Sequence, residues 1–79
     1  MNTIQEQWEK FSKLTIAKDA PDIQKQETRR AFYAGVEGLL RIQFNIAESS
    51  MSEDAAVAIF QEIEDELHMF AQDMRDGKC

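Results

Sequence analysis

The chain has few of the residues that cross-link a small fold through disulfides or bound metal. Its 79 residues include one cysteine, Cys79, and one histidine, His68. One cysteine cannot close a disulfide within the chain, and one His with one Cys cannot supply the four ligands of a structural zinc site. Because a chain of this length buries only about 60% of its unfolded surface, association with other copies is the remaining route to a stable core.

Long apolar runs are also absent, since no stretch approaches the roughly 18 apolar residues of a membrane span. The first residues, Met1–Glu6, have neither the basic start nor the apolar stretch of a signal peptide. We therefore expect a cytoplasmic protein with no membrane partner. The length predicts a single domain over residues 1–79.

Positive charge is scarce, with 9 Lys and Arg against 15 Asp and Glu and a formal net charge of −6. Proteins bind nucleic acids mainly by neutralising phosphates with Lys and Arg, so this balance argues against direct nucleic-acid binding. The charge is uneven along the chain. Residues 1–47 carry seven basic and six acidic side chains, whereas residues 48–79 carry two basic and nine acidic ones. The two parts are expected to meet different partners.

Helical periodicity and capping signals are present throughout. Thr3 and Glu6 have the spacing of a capping box at the start of a first helix, and Asp19-Ala20-Pro21-Asp22 is typical of a break followed by a new helix. Ser50 and Glu53 match a second capping box. The predicted helices cover about residues 4–18, 21–47 and 51–75. We expect an all-α fold in which a short N-terminal helix is followed by a long antiparallel helical hairpin.

The central helix is apolar over more of its circumference than two short neighbours can cover. Gly35 and Gly38 each cost about 1 kcal/mol of helix propensity relative to Ala, so they need a packing reason. Small residues one turn apart allow another helix to approach closely, and we favour this explanation over room made for a ligand. The sequence therefore predicts a homo-oligomeric bundle. The predicted oligomer interface consists of Ala31, Ala34, Gly35, Gly38, Phe32 and Leu39.

The sequence offers no pairing of a nucleophile with a base. His68 follows Glu64 and Asp65 by four and three residues, but it lies on the polar face of the predicted third helix. A solvated surface histidine is therefore favoured over a general base or a metal ligand. We expect no enzyme activity, no catalytic residues, no bound metal and no cofactor.

Two arginines and a tyrosine in the central helix form the main candidate site. Arg29 precedes Tyr33 by four residues, so its guanidinium can lie over the ring, and Arg30 adds a second fork of donors. Two guanidiniums beside an aromatic face suit a phosphate-bearing base. In the structural alternative, Arg30 pairs with Glu27 or Glu37, while Arg29 packs on Tyr33 or pairs with an acid of the third helix in another subunit.

Trp8, the only tryptophan, is interpreted first as an anchor that docks the N-terminal helix on the central one. It is also placed among the candidate ligand-binding residues. That set is Arg29, Arg30, Tyr33 and Trp8.

The stretch Gln26–Gly35, preceded by a Trp8-x-x-Phe11 segment and an Ala-Pro turn, resembles a group of small phage and prophage proteins with an Arg-Arg-Ala-Phe-Tyr-Ala-Gly helix. The likeness covers most of the chain, and it implies no catalytic residues because none are established in that group. The layout also resembles phage proteins that sequester cyclic nucleotides of bacterial immune signalling. These resemblances imply a non-enzymatic sponge for a nucleotide-like signal at an oligomer interface, in the cytoplasm of an infected or lysogenic bacterial cell.

The acidic third helix suggests a different function. Its polar face carries Glu62, Asp65 and Glu66, which could mimic phosphate charge and inhibit a host nucleic-acid-handling complex, as anti-CRISPR proteins do. A purely structural helical oligomer is a third interpretation. We slightly favour the arginine site, because an acidic face also has the simpler role of keeping a small helical protein soluble.

Overall fold

A computed structural model describes residues 3–79, which form three α-helices and no strand. The helices are α1 (Ile4–Thr15), α2 (Asp22–Glu48) and α3 (Glu53–Arg75). The predicted all-α class is confirmed. None of these three helices combines the length and the apolar character that are needed to cross a membrane.

The chain divides into two compact units, Met1–Asn45 and Ile46–Cys79, and the single domain expected from the length stays a prediction. The first unit contains α1 and α2 as far as Asn45, and the second contains the end of α2 and α3. The antiparallel pairing of the second and third helices stays a prediction, as does the assembly into an oligomer.

α1 begins where its capping signal predicts and ends earlier than expected. The Thr3 hydroxyl accepts a hydrogen bond from the Glu6 amide at 3.2 Å. The helix ends at Thr15 instead of near Lys18, because Ile16 has an extended backbone. Thr15 and Ile16 are consecutive β-branched residues, which lose side-chain freedom in a helix and so weaken its last turn.

Three aromatic rings dock α1 on α2. Trp8 lies 5.4 Å from Phe32 and 5.9 Å from Phe11, and Phe11 lies 5.2 Å from Phe32, all measured between ring centroids. Trp8 is 9% exposed and is the only side chain classed as buried among residues 3–79. Its predicted role as the anchor of the short helix is confirmed.

α3 is capped at both ends. The Ser52 hydroxyl accepts a hydrogen bond from the Ala55 amide at 3.1 Å, so Ser52 is the N-cap in place of the predicted Ser50. This choice puts Glu53 and Asp54 in the first turn, where the positive end of the helix dipole favours carboxylates.

At the other end of α3 the backbone turns through Gly77, which has a φ of 72°. The Gly77 and Lys78 amides donate to the carbonyls of Met74 and Asp73 at 3.1 and 2.8 Å. This is the hydrogen-bond pattern of a Schellman motif, which requires a left-handed residue and so favours glycine. Gly77 therefore closes α3.

Candidate functional site

A groove of about 1110 Å³ lies between the C-terminal half of α1 and the N-terminal half of α2. All four candidate ligand-binding residues line it, namely Arg29, Arg30, Tyr33 and Trp8. Trp8 therefore has two roles, because it docks α1 on α2 and also forms part of the groove wall. The volume of the groove lies just above the range of about 300–1000 Å³ that is usual for small-molecule sites.

Three lysines that the sequence analysis did not select also line the groove. They are Lys13 from α1, Lys18 from the connection and Lys25 from the first turn of α2. Lys25 could have been found from the sequence, because it lies one helical turn before Arg29. Lys13 and Lys18 could not, since their position depends on how α1 docks.

The groove is lined by five basic side chains and no acidic one. The other lining residues are Ser12, Ile16, Ala17 and Gln26, which are small, apolar or neutral. In a chain with a net charge of −6, this is a local concentration of positive charge. Such a surface attracts anions against the overall charge of the protein.

Arg29 and Tyr33 are held together on α2. The Arg29 guanidinium carbon lies 5.2 Å from the centroid of the Tyr33 ring, which is the stacking expected from their four-residue spacing. Arg29 Nη2 and the Tyr33 hydroxyl both donate to Gln5 Oε1, each at 3.0 Å. No carboxylate of residues 3–79 lies within 4.0 Å of the Arg29 guanidinium. The positive charge of Arg29 is therefore not neutralised by an ion pair in that part of the chain.

Gln5 was not selected from the sequence, although it contacts two of the candidate residues. Its side-chain amide also donates to Glu9 Oε1 at 3.3 Å. Its partners on α2 are 24 and 28 residues away in sequence, so only the docked structure reveals the contact.

Arg30 makes one of the pairings that the structural alternative named. Its Nη1 lies 3.8 Å from Glu27 Oε1, and the two side chains are 67% and 64% exposed. An exposed pair at this distance contributes at most about 1 kcal/mol, so it holds Arg30 weakly. Arg30 can exchange this partner for an anion in the groove at little cost.

The six predicted interface residues do not share one environment. A Cβ atom added at Gly35 or Gly38 would meet nothing within 4 Å among the described residues. Ala31, Ala34 and Leu39 are also exposed. Phe32, by contrast, is half-buried and packs against Trp8 and Phe11 of its own chain. The strip of small residues is therefore uncovered, whereas Phe32 is engaged within the protomer.

α3 carries the histidine and the acidic residues that the sequence analysis considered. His68, Glu62, Asp65 and Glu66 are all exposed, and Asp65 accepts a hydrogen bond from the Gln61 amide at 3.1 Å. Residues 3–79 contain no group of three or more His, Cys, Asp or Glu side chains that could hold a metal ion.

Comparisons of the chain with models of protein families, with curated proteins and with solved structures give no match.

Proposed function

We propose that the protein is a non-enzymatic binding protein that sequesters a small anionic, nucleotide-like ligand in the groove between α1 and α2. One observation carries this proposal. Five basic side chains and the rings of Trp8 and Tyr33 line the groove, and no acidic side chain does.

The two kinds of lining group match the two parts of a nucleotide. The Arg29 and Arg30 guanidiniums present planar forks of donors, which suit bidentate binding of phosphate oxygens. Lysine ammonium groups add positive charge without fixing direction. The Tyr33 ring, beside the Arg29 guanidinium, is the surface on which a planar base can stack. Trp8 is only 9% exposed, so it adds apolar wall to the groove. The resemblance to phage proteins that sequester signalling nucleotides adds cyclic nucleotides to the ligands worth testing.

The test is a thermal-shift screen of linear and cyclic nucleotides against wild type, Arg29→Ala and Arg41→Ala. Arg41 is the control for the loss of a positive charge, because it lies on the same helix outside this groove and pairs with Glu37 at 3.0 Å. It lines a second groove on α2, so the oligomeric mass of Arg41→Ala is compared with that of wild type. A ligand present at about 100 times its Kd adds about 2.7 kcal/mol of stability, which corresponds to about 10 °C or more for a domain of this size.

We expect this shift for wild type and Arg41→Ala. Arg29→Ala should bind about ten- to a hundredfold more weakly, because charge-assisted hydrogen bonds contribute about 1.5–3 kcal/mol. Adenosine and inorganic phosphate, tested separately, measure what the base and the phosphate contribute. Helicity and oligomeric mass of each variant must match wild type. The absence of a shift with every nucleotide for wild type would refute the proposed function.

We also propose that the protein works as a homo-oligomer. The open strip around Gly35 and Gly38 supports this, as does a second groove of about 590 Å³ along α2. Its lining includes the apolar Ala34, Leu40 and Phe44 beside the charged Arg30, Glu37 and Arg41. Leu40 and Phe44 are 46% and 52% exposed, so α2 retains apolar surface that another copy could cover.

A second candidate function rests on α3, as an acidic surface for a basic protein partner. The ion pairs found among residues 3–79 both lie within α2, so the α3 carboxylates have no cationic partner there. Leu67, Phe70 and Met74 of α3 are 63%, 56% and 57% exposed. Unpaired carboxylates beside exposed apolar side chains are the composition expected of a protein-interaction surface.

A further inference from the structure

Two donors from α2 converge on a single side-chain oxygen of α1. Arg29 Nη2 and the Tyr33 hydroxyl each lie 3.0 Å from Gln5 Oε1. Both donors belong to residues that line the groove, whereas Gln5 does not line it. A charged donor and a neutral donor aimed at one acceptor are an arrangement that suits a phosphate oxygen.

We infer that Gln5 is an internal surrogate for the ligand, whose carboxamide oxygen occupies the position that a phosphate oxygen takes when the ligand binds. This inference rests on the proposed function and identifies the atoms that it uses. On binding, the Gln5 side chain releases Arg29 and Tyr33 and turns into solvent.

Whether the ligand replaces Gln5 depends on which of the two, the Gln5 oxygen or a phosphate oxygen, makes the stronger hydrogen bonds with Arg29 and Tyr33. The amide oxygen of Gln5 is neutral, so its bond with the Arg29 guanidinium is charged on one side only. A phosphate oxygen makes the same contact with charge on both sides, which gives a shorter and stronger bond. Gln5 is also exposed, so its amide regains hydrogen bonds to water when it leaves. The ligand therefore displaces Gln5, while Gln5 lowers the apparent affinity.

Three variants of α1 test this inference, with inorganic pyrophosphate as the probe and the fluorescence of Trp8 as the signal. Pyrophosphate has no base, so it tests the oxyanion position alone. Gln5→Met keeps the length and the helix propensity of the side chain and removes the acceptor. Gln5→Glu places a permanent anion beside Arg29, and a carboxylate in the first turn also favours the helix, so weaker binding by this variant would not result from lost helicity. Gln7→Met is the matched control, because Gln7 is exposed on the same helix and outside the groove.

We expect Gln5→Met to bind pyrophosphate about two- to tenfold more tightly than wild type, since it removes a competing hydrogen-bond acceptor. Gln5→Glu should bind pyrophosphate about tenfold or more weakly than wild type, because its carboxylate pairs with the Arg29 guanidinium and the ligand must break that ion pair. Gln7→Met should match wild type.

Weaker binding by Gln5→Met would overturn the inference, because it would show that Gln5 only positions Arg29 and Tyr33. If wild type binds and Gln5→Met is unchanged, the surrogate role is refuted while the proposed function stands. If neither binds pyrophosphate or any nucleotide in the screen, the proposed function and this inference both fail. Binding by Gln5→Met alone supports the surrogate role directly.

Discussion

Replacing Trp8 with alanine tests whether the aromatic contact between α1 and α2 holds the first unit together. Trp8 is 9% exposed and lies within 6 Å of two other rings. A buried aromatic side chain removes about 150–250 Å² from water, which at about 25 cal/mol per Å² gives roughly 4–6 kcal/mol as an upper estimate. Substitutions of this kind in protein cores cost about 3–5 kcal/mol.

The expected loss is large for a chain of this size. A domain of 79 residues has a total stability of about 4–12 kcal/mol. Leu14→Ala is the matched control, because Leu14 is an apolar residue of the same helix that is 87% exposed. With so little surface buried in the protomer, Leu14→Ala should change the free energy of unfolding by less than about 0.5 kcal/mol.

Urea unfolding followed by far-ultraviolet circular dichroism measures both effects. We expect Trp8→Ala to lower the midpoint by about 1–5 M, given a cost of about 3–5 kcal/mol and slopes of about 1–3 kcal/mol per M for small proteins. The measurement is repeated at two protein concentrations so that dissociation of an oligomer is not mistaken for unfolding. Trp8→Phe gives a graded change if Trp8→Ala does not fold. Equal midpoints for Trp8→Ala and Leu14→Ala would show that α1 is not docked by Trp8.

Two further predictions concern the other surfaces. Gly35→Leu and Gly38→Leu should reduce the oligomeric mass measured by light scattering while the helicity persists, because a Cβ atom at either position meets nothing within 4 Å among the described residues, whereas a leucine would obstruct the close approach of a second helix. A stable monomer of wild type at micromolar concentration would contradict this prediction. Reversing Glu62, Asp65 and Glu66 to Lys should leave nucleotide binding unchanged, since none of them lines the groove. If the second candidate function holds instead, the same triple variant should abolish binding to a basic partner, and the wild-type affinity for that partner should fall steeply with salt.

The sequence was sufficient for features that depend on local chemistry. Capping residues and apolar periodicity predicted three helices, because a cap satisfies amides only three residues away. The position of Trp8 predicted the docking of α1, since Trp8 is the largest of the apolar side chains that recur at helical spacing along α1. The end of α1 was misplaced because the weak propensity of Thr15 and Ile16 outweighed a fading periodic pattern.

The site was only partly predictable. Arg29, Arg30 and Tyr33 lie within two turns of one helix, so their proximity follows from helical geometry. Lys13 and Lys18 reach the groove only because α1 docks on α2, which is set by tertiary packing. The contact of Gln5 with Arg29 and Tyr33 has no local signal at all.

These dependences link the stability of the first unit to the proposed binding function. Trp8 both anchors α1 and lines the groove, so the lysines from α1 and the connection reach their positions only while α1 is docked. A ligand that binds the docked state and not the undocked one stabilises docking by RT ln(1 + [L]/Kd). Saturating nucleotide should therefore recover part of the stability lost in Trp8→Phe. It should add little stability to Arg29→Ala, because that variant lacks the anion contact. If nucleotide bound but did not stabilise the docked helix, the groove would not depend on that docking. The assignment of the site to the interface between α1 and α2 would then be wrong.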